Sequence, residues 1–438
     1  MRILVTGASG FIGAHIVAAL LEAGHGVTGC ARNVSRARRQ CPAADWIHAD
    51  FNRDLTPEVW SGRLAGIDAV INCAGLLQGS ARQSIESIHR DAPIALFNAA
   101  STAGVRRVIQ ISALGIEDGN TAPDTKYATT KRAADAHLMA LDLDWVVVRP
   151  SLVYAAGAYG GTALMRGLAG FPVVIPLPGG GTSQMFQPIA MDDLARGVAT
   201  LIDPKAPAKL VLDAAGPKTM NLREIVAAMR GWLGFAPAPV LAVPRGLIML
   251  GGRLGDVARW FTGRGTVTTT SIKQMEHGAL GDGASFAKAT GIQPRPMAEA
   301  LSLMPSQTAD RWHARAWFAR PLLRITIALY WIATGVLTAF ATPRAHSDAL
   351  LTAVGLGGAF MPYVFWIGCA VDPIVGGLLL VRWRVRLVGA TMLAMTVGYL
   401  VLLTLGRPDL WADPLGPLTK VFPLMAATLL MMALEDDR

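Results

Sequence analysis

The chain opens with an apolar run, a glycine-rich turn and a helical stretch, in that order. Residues 2–6 form a short β-rich run, and Gly7, Gly10 and Gly13 follow at three-residue spacing. Residues 14–23 then carry a helical pattern, after which a second strand is expected. Glycines between a strand and a helix permit a tight turn and close approach of the backbone to a pyrophosphate. The pattern therefore predicts the first βαβ unit of a dinucleotide-binding domain.

The helix after these glycines would direct its N–H groups and the positive end of its dipole at the phosphates. The residues expected to line the cofactor at this turn are Gly7, Ser9, Gly10, Phe11, Ile12 and Gly13. No Lys followed by Ser or Thr comes after the glycines, which excludes a P-loop. The segment "GASGF" also lacks the second glycine of a nucleophile elbow, which argues against a hydrolase.

The second strand ends at "GCARN", where an NAD-binding domain usually carries an acidic residue for the ribose hydroxyls. This chain has Arg32 at that end and Arg36 soon after it, with no acid nearby. An arginine suits the 2′-phosphate of NADP, so the sequence favours NADP over NAD. The alternative is that Arg32 is a solvated loop charge.

Four long apolar runs lie at the other end of the chain. They cover residues 325–341, 360–381, 387–405 and 418–434. Each approaches the length needed to span a bilayer, although the last is short and has Pro423 near its start. Arginines cluster before the first run and between the second and the third. The positive-inside rule then predicts four spans with both ends in the cytosol.

The composition agrees with a membrane-bound chain of more than one domain. Of the 438 residues, 52% are hydrophobic and 16% are charged, whereas a soluble protein has about 25% charged residues. Much of the net charge of +9 comes from arginines beside the apolar runs. No zinc-finger spacing, RNP-like motif or basic helix with interleaved aromatic residues accompanies this charge, so we predict no nucleic-acid partner.

Two further features concern the compartment. The apolar run at the N-terminus is too short for a signal peptide, which places the first domain in the cytosol. The four cysteines are scattered and form no CxxC pair, so we expect buried free thiols rather than disulfides or a metal site.

Further segments follow the glycine turn in a familiar order: "HADFNRD", "AVINCAGL", "VRRVIQISALG", "RPSLVYAAG" and "FQPIAMDDLARGV". With Thr6-Gly7-x-x-Gly10-x-x-Gly13, they resemble the short-chain dehydrogenase/reductase superfamily, in its extended or atypical branch of NAD(P)-dependent epimerase/dehydratase type. The resemblance runs from residue 1 to about residue 300. It implies cofactor contacts from four further residues, two near the adenine and two after the fourth strand: Asp50, Phe51, Ala74 and Gly75.

The segment "TKYATTKRA" places Lys131 four residues after Tyr127, shortly after Ser112. Four residues of a helix rise about 6 Å and return to the same face, so the two side chains can lie together. A nearby ammonium lowers the pKa of a phenol, and Tyr127 could then exchange a proton with a carbonyl or alcohol. The resemblance implies a catalytic set in which Ser112 polarises the carbonyl and Lys131 also binds the nicotinamide ribose.

One position departs from the family pattern. The helix before the fifth strand often carries an Asn in this family, whereas this chain has His89 there. His89 could take over the water relay of that Asn, or it could be a satisfied helix histidine. This form resembles the atypical members related to an accessory subunit of respiratory complex I, some of which bind NADPH with no established turnover.

We therefore predict an α/β domain with a Rossmann doubly wound parallel sheet over residues 1–305 and a smaller substrate lobe mainly at 150–300. A linker at 306–320 would lead to an all-α transmembrane four-helix domain at 321–438. That last region resembles the DoxX-like membrane domain.

Asp372 lies inside the second predicted span. A charge at that depth is costly, so we expect the side chain to face the bundle interior. In one interpretation Asp372 is protonated or hydrogen-bonded, caps a helix break before Pro373 and only shapes the bundle. In the other it belongs to a polar site that binds a ligand or a proton.

The predicted function is that of a multi-pass oxidoreductase of the inner membrane, with its Rossmann domain in the cytoplasm. It would prefer NADP and act on a carbonyl or alcohol of a hydrophobic substrate drawn from the bilayer. The substrate class follows from the membrane tether, since core packing explains the apolar lobe equally well. The alternatives are a non-catalytic NADPH sensor or assembly module, and an epimerase or dehydratase with transient nicotinamide chemistry. The oligomeric state stays open.

Overall fold

The computed structural model describes residues 1–81, 83–116, 125–262 and 267–435. The chain forms two compact units, Met1–Ala314 and Arg315–Arg438. Its strands are β1 (Arg2–Thr6), β2 (Gly26–Ala31), β3 (Asp45–His48), β4 (Ala69–Asn72), β5 (Arg107–Ile111), β6 (Asp144–Pro150), β7 (Val153–Tyr154), β8 (Ile175–Pro178), β9 (Met185–Phe186), β10 (Ile189–Ala190), β11 (Leu210–Ala214), β12 (Met220–Asn221) and β13 (Val240–Val243).

The helices of the first unit are α1 (Phe11–Glu22), α2 (Val34–Gln40), α3 (Pro57–Ser61), α4 (Ala92–Thr102), α5 (Lys126–Met139), α6 (Gly160–Ala169), α7 (Met191–Thr200), α8 (Leu222–Trp232), α9 (Arg245–Thr262), α10 (Thr269–His277), α11 (Gly283–Thr290) and α12 (Met297–Ser302). Helix α13 (Thr308–Phe340) crosses the boundary between the units. The second unit continues with α14 (Arg344–Ala353), α15 (Met361–Leu380), α16 (Val385–Gly406) and α17 (Val421–Leu434).

Seven strands form one parallel sheet in the order β3-β2-β1-β4-β5-β6-β11. The strand order reverses at β1, because the chain crosses from β3 back to β4. This is the arrangement of a doubly wound nucleotide-binding fold, in which ligands bind outside the carboxyl ends of the strands at the reversal. The predicted fold class is confirmed, and a cofactor is expected where β1 and β4 end.

Strand β1 lies inside the sheet, and its three middle residues are all apolar because both faces of the sheet are covered. Ile3 and Val5 pack into the hydrophobic core on one face, and Leu4 packs into the core on the other. All three side chains are fully buried. Parallel sheets covered on both sides need such continuous apolar strands, which explains why residues 2–6 show no alternation of apolar and polar positions.

Part of the region predicted as a substrate lobe, residues 150–300, belongs to the main sheet. Strand β11 pairs with β6, with Leu210 opposite Val146, and so becomes the edge strand of the main sheet. Helices α7 and α11 pack into the core of that sheet through Leu194 and Phe286. Without β11, the apolar strand β6 would itself be an exposed sheet edge, a template for unwanted pairing. Strand β11 and helices α7 and α11 therefore belong to the main sheet and its core, and a substrate lobe in the rest of this region stays a prediction.

Three described helices of this chain are long and apolar enough to cross a membrane, namely α13, α15 and α16. The fourth predicted span corresponds to α17, which has 14 residues. A helix of that length rises only about 21 Å, less than the roughly 30 Å of a bilayer hydrocarbon core. Length therefore supports three of the four spans. Because α13 begins at Thr308, it also covers most of the residues predicted as a linker.

Asp372 lies in α15 and is only 8% exposed, as expected of a residue that faces the interior of the helix bundle. The predicted helix break is wrong, because α15 continues without interruption through Pro373. A close approach of α13 encloses this part of α15: a Cβ on Gly335 would lie 2.5 Å from Cδ of Pro373 and 2.7 Å from the carbonyl oxygen of Cys369. One carboxylate oxygen of Asp372 has no hydrogen-bond partner among the described residues.

Candidate functional site

The glycine turn between β1 and α1 has the close approaches that only glycine allows. Gly7 has a φ of +63°, and a Cβ there would lie 2.7 Å from the carbonyl carbon of Cys73. A Cβ on Gly13 would lie 2.2 Å from the carbonyl oxygen of Gly7. Among the described residues, no side chain caps α1 at Gly10, so the first N–H groups of the helix are available to an anion. The turn therefore fits a dinucleotide pyrophosphate.

The loop after β4 passes beside this turn and reaches the predicted catalytic lysine. The N–H of Ala74 donates to Oδ1 of Asn72 at 3.2 Å. A Cβ on Gly75 would lie 3.5 Å from Nε2 of His89 and 3.6 Å from Nζ of Lys131. The structure thus brings Gly75, Lys131 and His89 together at the carboxyl end of the sheet, where the fold places ligands.

The residues predicted around the adenosine differ in their exposure and in their hydrogen-bond partners. Arg32 is exposed at the end of β2, and its guanidinium donates to the side-chain oxygen of Gln83 at 2.7 Å once that amide is oriented to satisfy both groups. Asp50 accepts hydrogen bonds from the backbone and side-chain nitrogens of Asn52, both at 3.1 Å. The Phe51 ring is buried against Trp60, 5.5 Å between centroids, and its contact with the adenine stays a prediction.

Two further predicted positions lie at helix starts near the same edge. The backbone N–H of Arg36 donates to the Asn33 side chain at the N-terminus of α2. Phe11, the first residue of α1, stacks on Tyr159 with a centroid distance of 5.6 Å and an interplanar angle of 18°. Ser9 is exposed and Ile12 is half-buried beside it.

Ser112 and Lys131 are buried, and each has a definite partner. Ser112 follows β5, and its hydroxyl donates to Oδ2 of Asp135 at 2.5 Å. The ammonium of Lys131 donates to the carbonyl oxygen of Ile111 at 2.9 Å. In this arrangement the serine proton that would polarise a substrate carbonyl is held by Asp135.

Burial dominates the proton affinities at this site. The pKa of Tyr127 is raised by burial and further by the charge of Asp135, which is opposite to the predicted lowering. Burial likewise lowers the pKa of Lys131, while Asp135 opposes that shift. The expected lowering fails because the cost of removing a phenolate from water is the largest effect on Tyr127. Tyr127 is therefore a neutral phenol at neutral pH.

A series of hydrogen bonds between buried polar side chains connects Ser112 to β1. The hydroxyl of Thr6 donates to Asn72 at 2.5 Å, and Asn72 donates to Gln110 at 2.7 Å. Gln110 in turn donates to Asp135 at 3.4 Å. The series crosses β1, β4 and β5 and ends on α5. Sequence reasoning missed Asp135, although its position four residues after Lys131 places it on the same helix face.

His89 lies in a π-helical turn, Ser87–Asp91, directly before α4. Its Nε2 accepts from the N–H of Leu76 at 2.9 Å, and its Nδ1 contacts the hydroxyl of Thr130 at 3.2 Å. Burial, and then the charge of Lys131, hold the pKa of His89 well below its usual value. A neutral ring with both nitrogens engaged favours the interpretation of a satisfied helix histidine that fixes the loop after β4.

A cavity of about 240 Å³ opens beside Tyr127. Its walls come from the loop after β4, the start of α5 and the start of α10: Gln78, Gly79, Ile85, Thr125, Lys126, Tyr127, Thr269, Thr270 and Lys273. Tyr127 is half-buried, with its ring 5.4 Å from that of His89 in an edge-to-face arrangement. A substrate in this cavity would meet the phenol of Tyr127, and this makes the cavity the candidate substrate site.

All four cysteines are free thiols, but only Cys30 and Cys369 are buried, whereas Cys41 and Cys73 are half-buried. Burial raises the pKa of Cys73 to about 12, although the Lys131 charge opposes this. Such a thiol stays protonated at neutral pH and is a poor nucleophile. Within the part of the chain that the structure describes, no group of three or more His, Cys, Asp or Glu residues is placed to hold a metal ion.

Two sequence families match separate parts of this chain. Residues 7–170 match an NAD(P)H-binding family. This matched segment contains the glycine turn, Ser112, Tyr127 and Lys131. Residues 328–429 match the DoxX-like family, and this segment contains the end of α13, all of α14, α15 and α16, and the first part of α17. The first match agrees with the glycine turn at Gly7 and Gly13. The second match agrees with the long apolar helices of the second unit.

Among curated relatives, a ceramide reductase of Caulobacter vibrioides is 32% identical over 165 residues, 35% of this chain and 47% of the reductase. A UDP-glucose 4-epimerase of Mycolicibacterium smegmatis is 28% identical over 297 residues, 59% of this chain and 88% of the epimerase. A 3β-hydroxysteroid dehydrogenase/isomerase of Mycobacterium tuberculosis is 28% identical over 182 residues, 36% of this chain and 48% of that enzyme. The chain thus spans about half the length of two of these relatives.

Solved structures share the fold of the first unit. MoeE5 in complex with UDP-glucose and NAD superposes with a TM-score of 0.53 at 20% identity, covering 72% of this chain and 100% of MoeE5. The dTDP-glucose 4,6-dehydratase DesIV of Streptomyces venezuelae gives 0.52 at 21% identity, covering 72% of this chain and 98% of DesIV. These structures share the parallel-sheet fold of the first unit, and the family matches identify an NAD(P)-binding domain at residues 7–170 and a DoxX-like domain at residues 328–429.

Proposed function

We propose that this protein is an oxidoreductase that prefers NADP and acts on a carbonyl or alcohol of a lipophilic substrate. The observation that carries the proposal is the position of Tyr127: its neutral phenol lines a cavity of about 240 Å³, and Lys131 follows it on the same face of α5. The glycine turn that fits a pyrophosphate lies at the same edge of the sheet. A proton donor, a cavity and a cofactor cradle are the parts that carbonyl reduction needs.

The bound nicotinamide would supply the hydride for reduction or accept it in the reverse direction. Tyr127 would donate its phenolic proton to the carbonyl oxygen, so that the substrate gains one hydride and one proton and becomes an alcohol. Lys131 would stabilise the phenolate that remains, since an ammonium nearby favours the charged form. Asp135 would hold Ser112 in place through the 2.5 Å hydrogen bond.

Three observations support a lipophilic substrate. The second part of the chain has three helices able to cross a membrane, so the cavity belongs to a membrane-associated chain. The relatives include a ceramide reductase and a hydroxysteroid dehydrogenase/isomerase, whose names point to apolar substrates. A tether to a bilayer also raises the local concentration of any substrate dissolved there.

We also propose that the NADP site faces the cytoplasm, with the apolar helices in the inner membrane. Guanidinium groups gather at one end of the second unit, where Arg324 and Arg382 bind the carboxylate of Glu435 and Arg386 lies beside them. Positive residues at membrane boundaries mark the cytoplasmic side. The positions of Arg324 and Arg382 at that end, on α13 and after α15, support the orientation predicted from the sequence.

An epimerase or dehydratase is the second candidate. The observation that favours it is the coverage of the UDP-glucose 4-epimerase, 88% of whose length aligns with this chain. In such a reaction the hydride returns to the substrate, so the cofactor would be regenerated within one turnover and no net consumption would occur.

A labelled cofactor separates these functions. The full chain, reconstituted in liposomes with a lipid extract, is incubated with NADPH carrying deuterium at the transferable position. We expect NADPH consumption together with deuterium in a lipid alcohol, detected by mass spectrometry. A change of substrate without NADPH consumption would establish the epimerase or dehydratase instead. NADPH binding with neither change would establish the non-catalytic sensor and refute the reductase.

Arg32 should decide between the two cofactors. If its exposed guanidinium binds the 2′-phosphate, NADPH should raise the thermal unfolding midpoint of the full chain more than NADH does, because binding to the native state stabilises it. Arg32→Asp should reverse that order. Arg39→Asp, the same charge change at an exposed position of α2, serves as the control and should leave the order unchanged. Equal stabilisation of the unmodified chain by both cofactors would remove the preference for NADP.

A further inference from the structure

Helix α9 presents an apolar face to solvent. Four large side chains on it are more than half exposed: Leu247 at 61%, Leu250 at 54%, Leu254 at 65% and Val257 at 59%. Their spacing of three and four residues places them on one side of the helix. Trp260, 61% exposed, and Arg253, also exposed, lie along the border of this stripe. We call these six residues the outer face of α9.

The opposite side of α9 is firmly attached to the candidate substrate site. Asp256 accepts hydrogen bonds from Gln78 at 3.0 Å and from the hydroxyl of Thr269 at 2.6 Å. Arg259 donates to the carbonyl oxygen of Gln78. A Cβ on Gly255 would collide with the carbonyl oxygen of Val267, at 1.8 Å, so the helix lies directly against the segment before α10. The helix that exposes the apolar stripe therefore also supports the wall of the Tyr127 cavity.

We infer that the outer face of α9 docks on the surface of a lipid bilayer that contains anionic lipids. Several observations select this occupant. The same chain carries three helices able to cross a membrane, so a bilayer is present wherever the protein is. An apolar stripe with a tryptophan and a cation on its border is the composition of a helix that lies in a membrane interface. Asp256, the acidic residue of α9, is turned away from the stripe. The charge on the border of the stripe is therefore the positive charge of Arg253, which matches anionic headgroups.

The docking would place the opening of the Tyr127 cavity at the headgroup region. A lipid with a carbonyl or alcohol near its polar end could then reach Tyr127 without crossing water. This consequence rests on the proposed function, whereas the docking itself needs no turnover.

Photo-crosslinking tests the docking on the full chain. The photoreactive residue p-benzoylphenylalanine replaces Leu254, or separately Leu247, in chains reconstituted in nanodiscs of phosphatidylcholine and phosphatidylglycerol. As a matched control it replaces Val173, an apolar residue that is 71% exposed elsewhere on the first unit. After irradiation, mass spectrometry should find lipid adducts at positions 254 and 247 several-fold above the control. Arg253→Glu should lower the yield in nanodiscs that contain phosphatidylglycerol.

Crosslinking products other than lipid adducts would overturn the inference. A crosslink between two chains would show that a second copy covers the face, and a crosslink within one chain would show that another segment does. Absence of lipid adducts at both positions would also refute it. Tyr127→Phe chains should give the same adducts as the unmodified sequence, so loss of turnover and loss of docking are distinguishable.

Discussion

Tyr127→Phe should lower the rate of the proposed carbonyl reduction by a factor of about 10² to 10⁴, the usual contribution of a positioned proton donor, while NADPH binding stays nearly unchanged. The substitution removes one hydroxyl and little volume, and the half-buried ring keeps its edge-to-face contact with His89. The measurement is the rate of deuterium transfer to the lipid product, with cofactor affinity determined by titration on the same preparation. Lys131→Met should instead weaken both binding and rate, because that ammonium is expected to serve the ribose and Tyr127 together.

Tyr154→Phe is the matched control. Its hydroxyl is also buried and has no hydrogen-bond partner among the described residues, but it lies on β7 rather than in the cavity wall. Its loss should leave turnover within the range of the unmodified protein. If Tyr127→Phe likewise keeps the full rate, Tyr127 is not the proton donor.

Glu435→Gln should destabilise the second unit by about 3–5 kcal/mol, the cost of leaving buried charges without their partner. Glu435 is 1% exposed and accepts from Arg324 at 2.7 Å and from Arg382 at 2.5 Å. Burial alone would raise the pKa of Glu435, but the charge of Arg382 and the hydrogen bond from Arg324 bring it below its usual value. This contribution is therefore present at neutral pH and is lost as the pH falls through the lowered pKa.

The free energy of unfolding of the full chain, measured in mixed detergent micelles, checks this value. Asp409→Asn is the control, because Asp409 pairs with Arg407 at 2.7 Å while its own side chain is 60% exposed. An exposed ion pair contributes only about 0–1 kcal/mol, so the control should change stability little. Equal effects of the two substitutions would contradict the assignment of a buried ionic cluster.

The features that could be predicted from sequence are those that depend on local geometry. The turn at Gly7 needs a positive φ and space for the Cys73 carbonyl, and only glycine satisfies both, so its spacing is visible in the chain. The apolar strands and the membrane helices follow from the continuous runs that their burial requires. These patterns are imposed at each position by its immediate surroundings.

The features that were not predicted depend on which distant parts of the chain pack against a residue. The edge-to-face contact of Phe51 with Trp60 is one example, because nine residues of sequence separate the two rings. The pKa of Tyr127 rises because burial, and then the charge of Asp135, disfavour the phenolate. Asp135 has no distinctive sequence context, and its role appears only when β5 brings Ser112 to it. Long-range packing sets each of these outcomes.

The strand order also has a consequence for synthesis of the chain on the ribosome. Among the strands of this sheet β1 is made first, yet it lies in the interior of the sheet, with Ile3 opposite Val27 on one side and Ala69 on the other. The growing chain can pair β1 with β2 and β2 with β3, but the other edge of β1 stays open until β4 has been made. An open apolar edge invites association with other chains. Pauses in translation before Asn72 would therefore favour aggregation, and chaperones that bind extended apolar segments would be needed most during that interval.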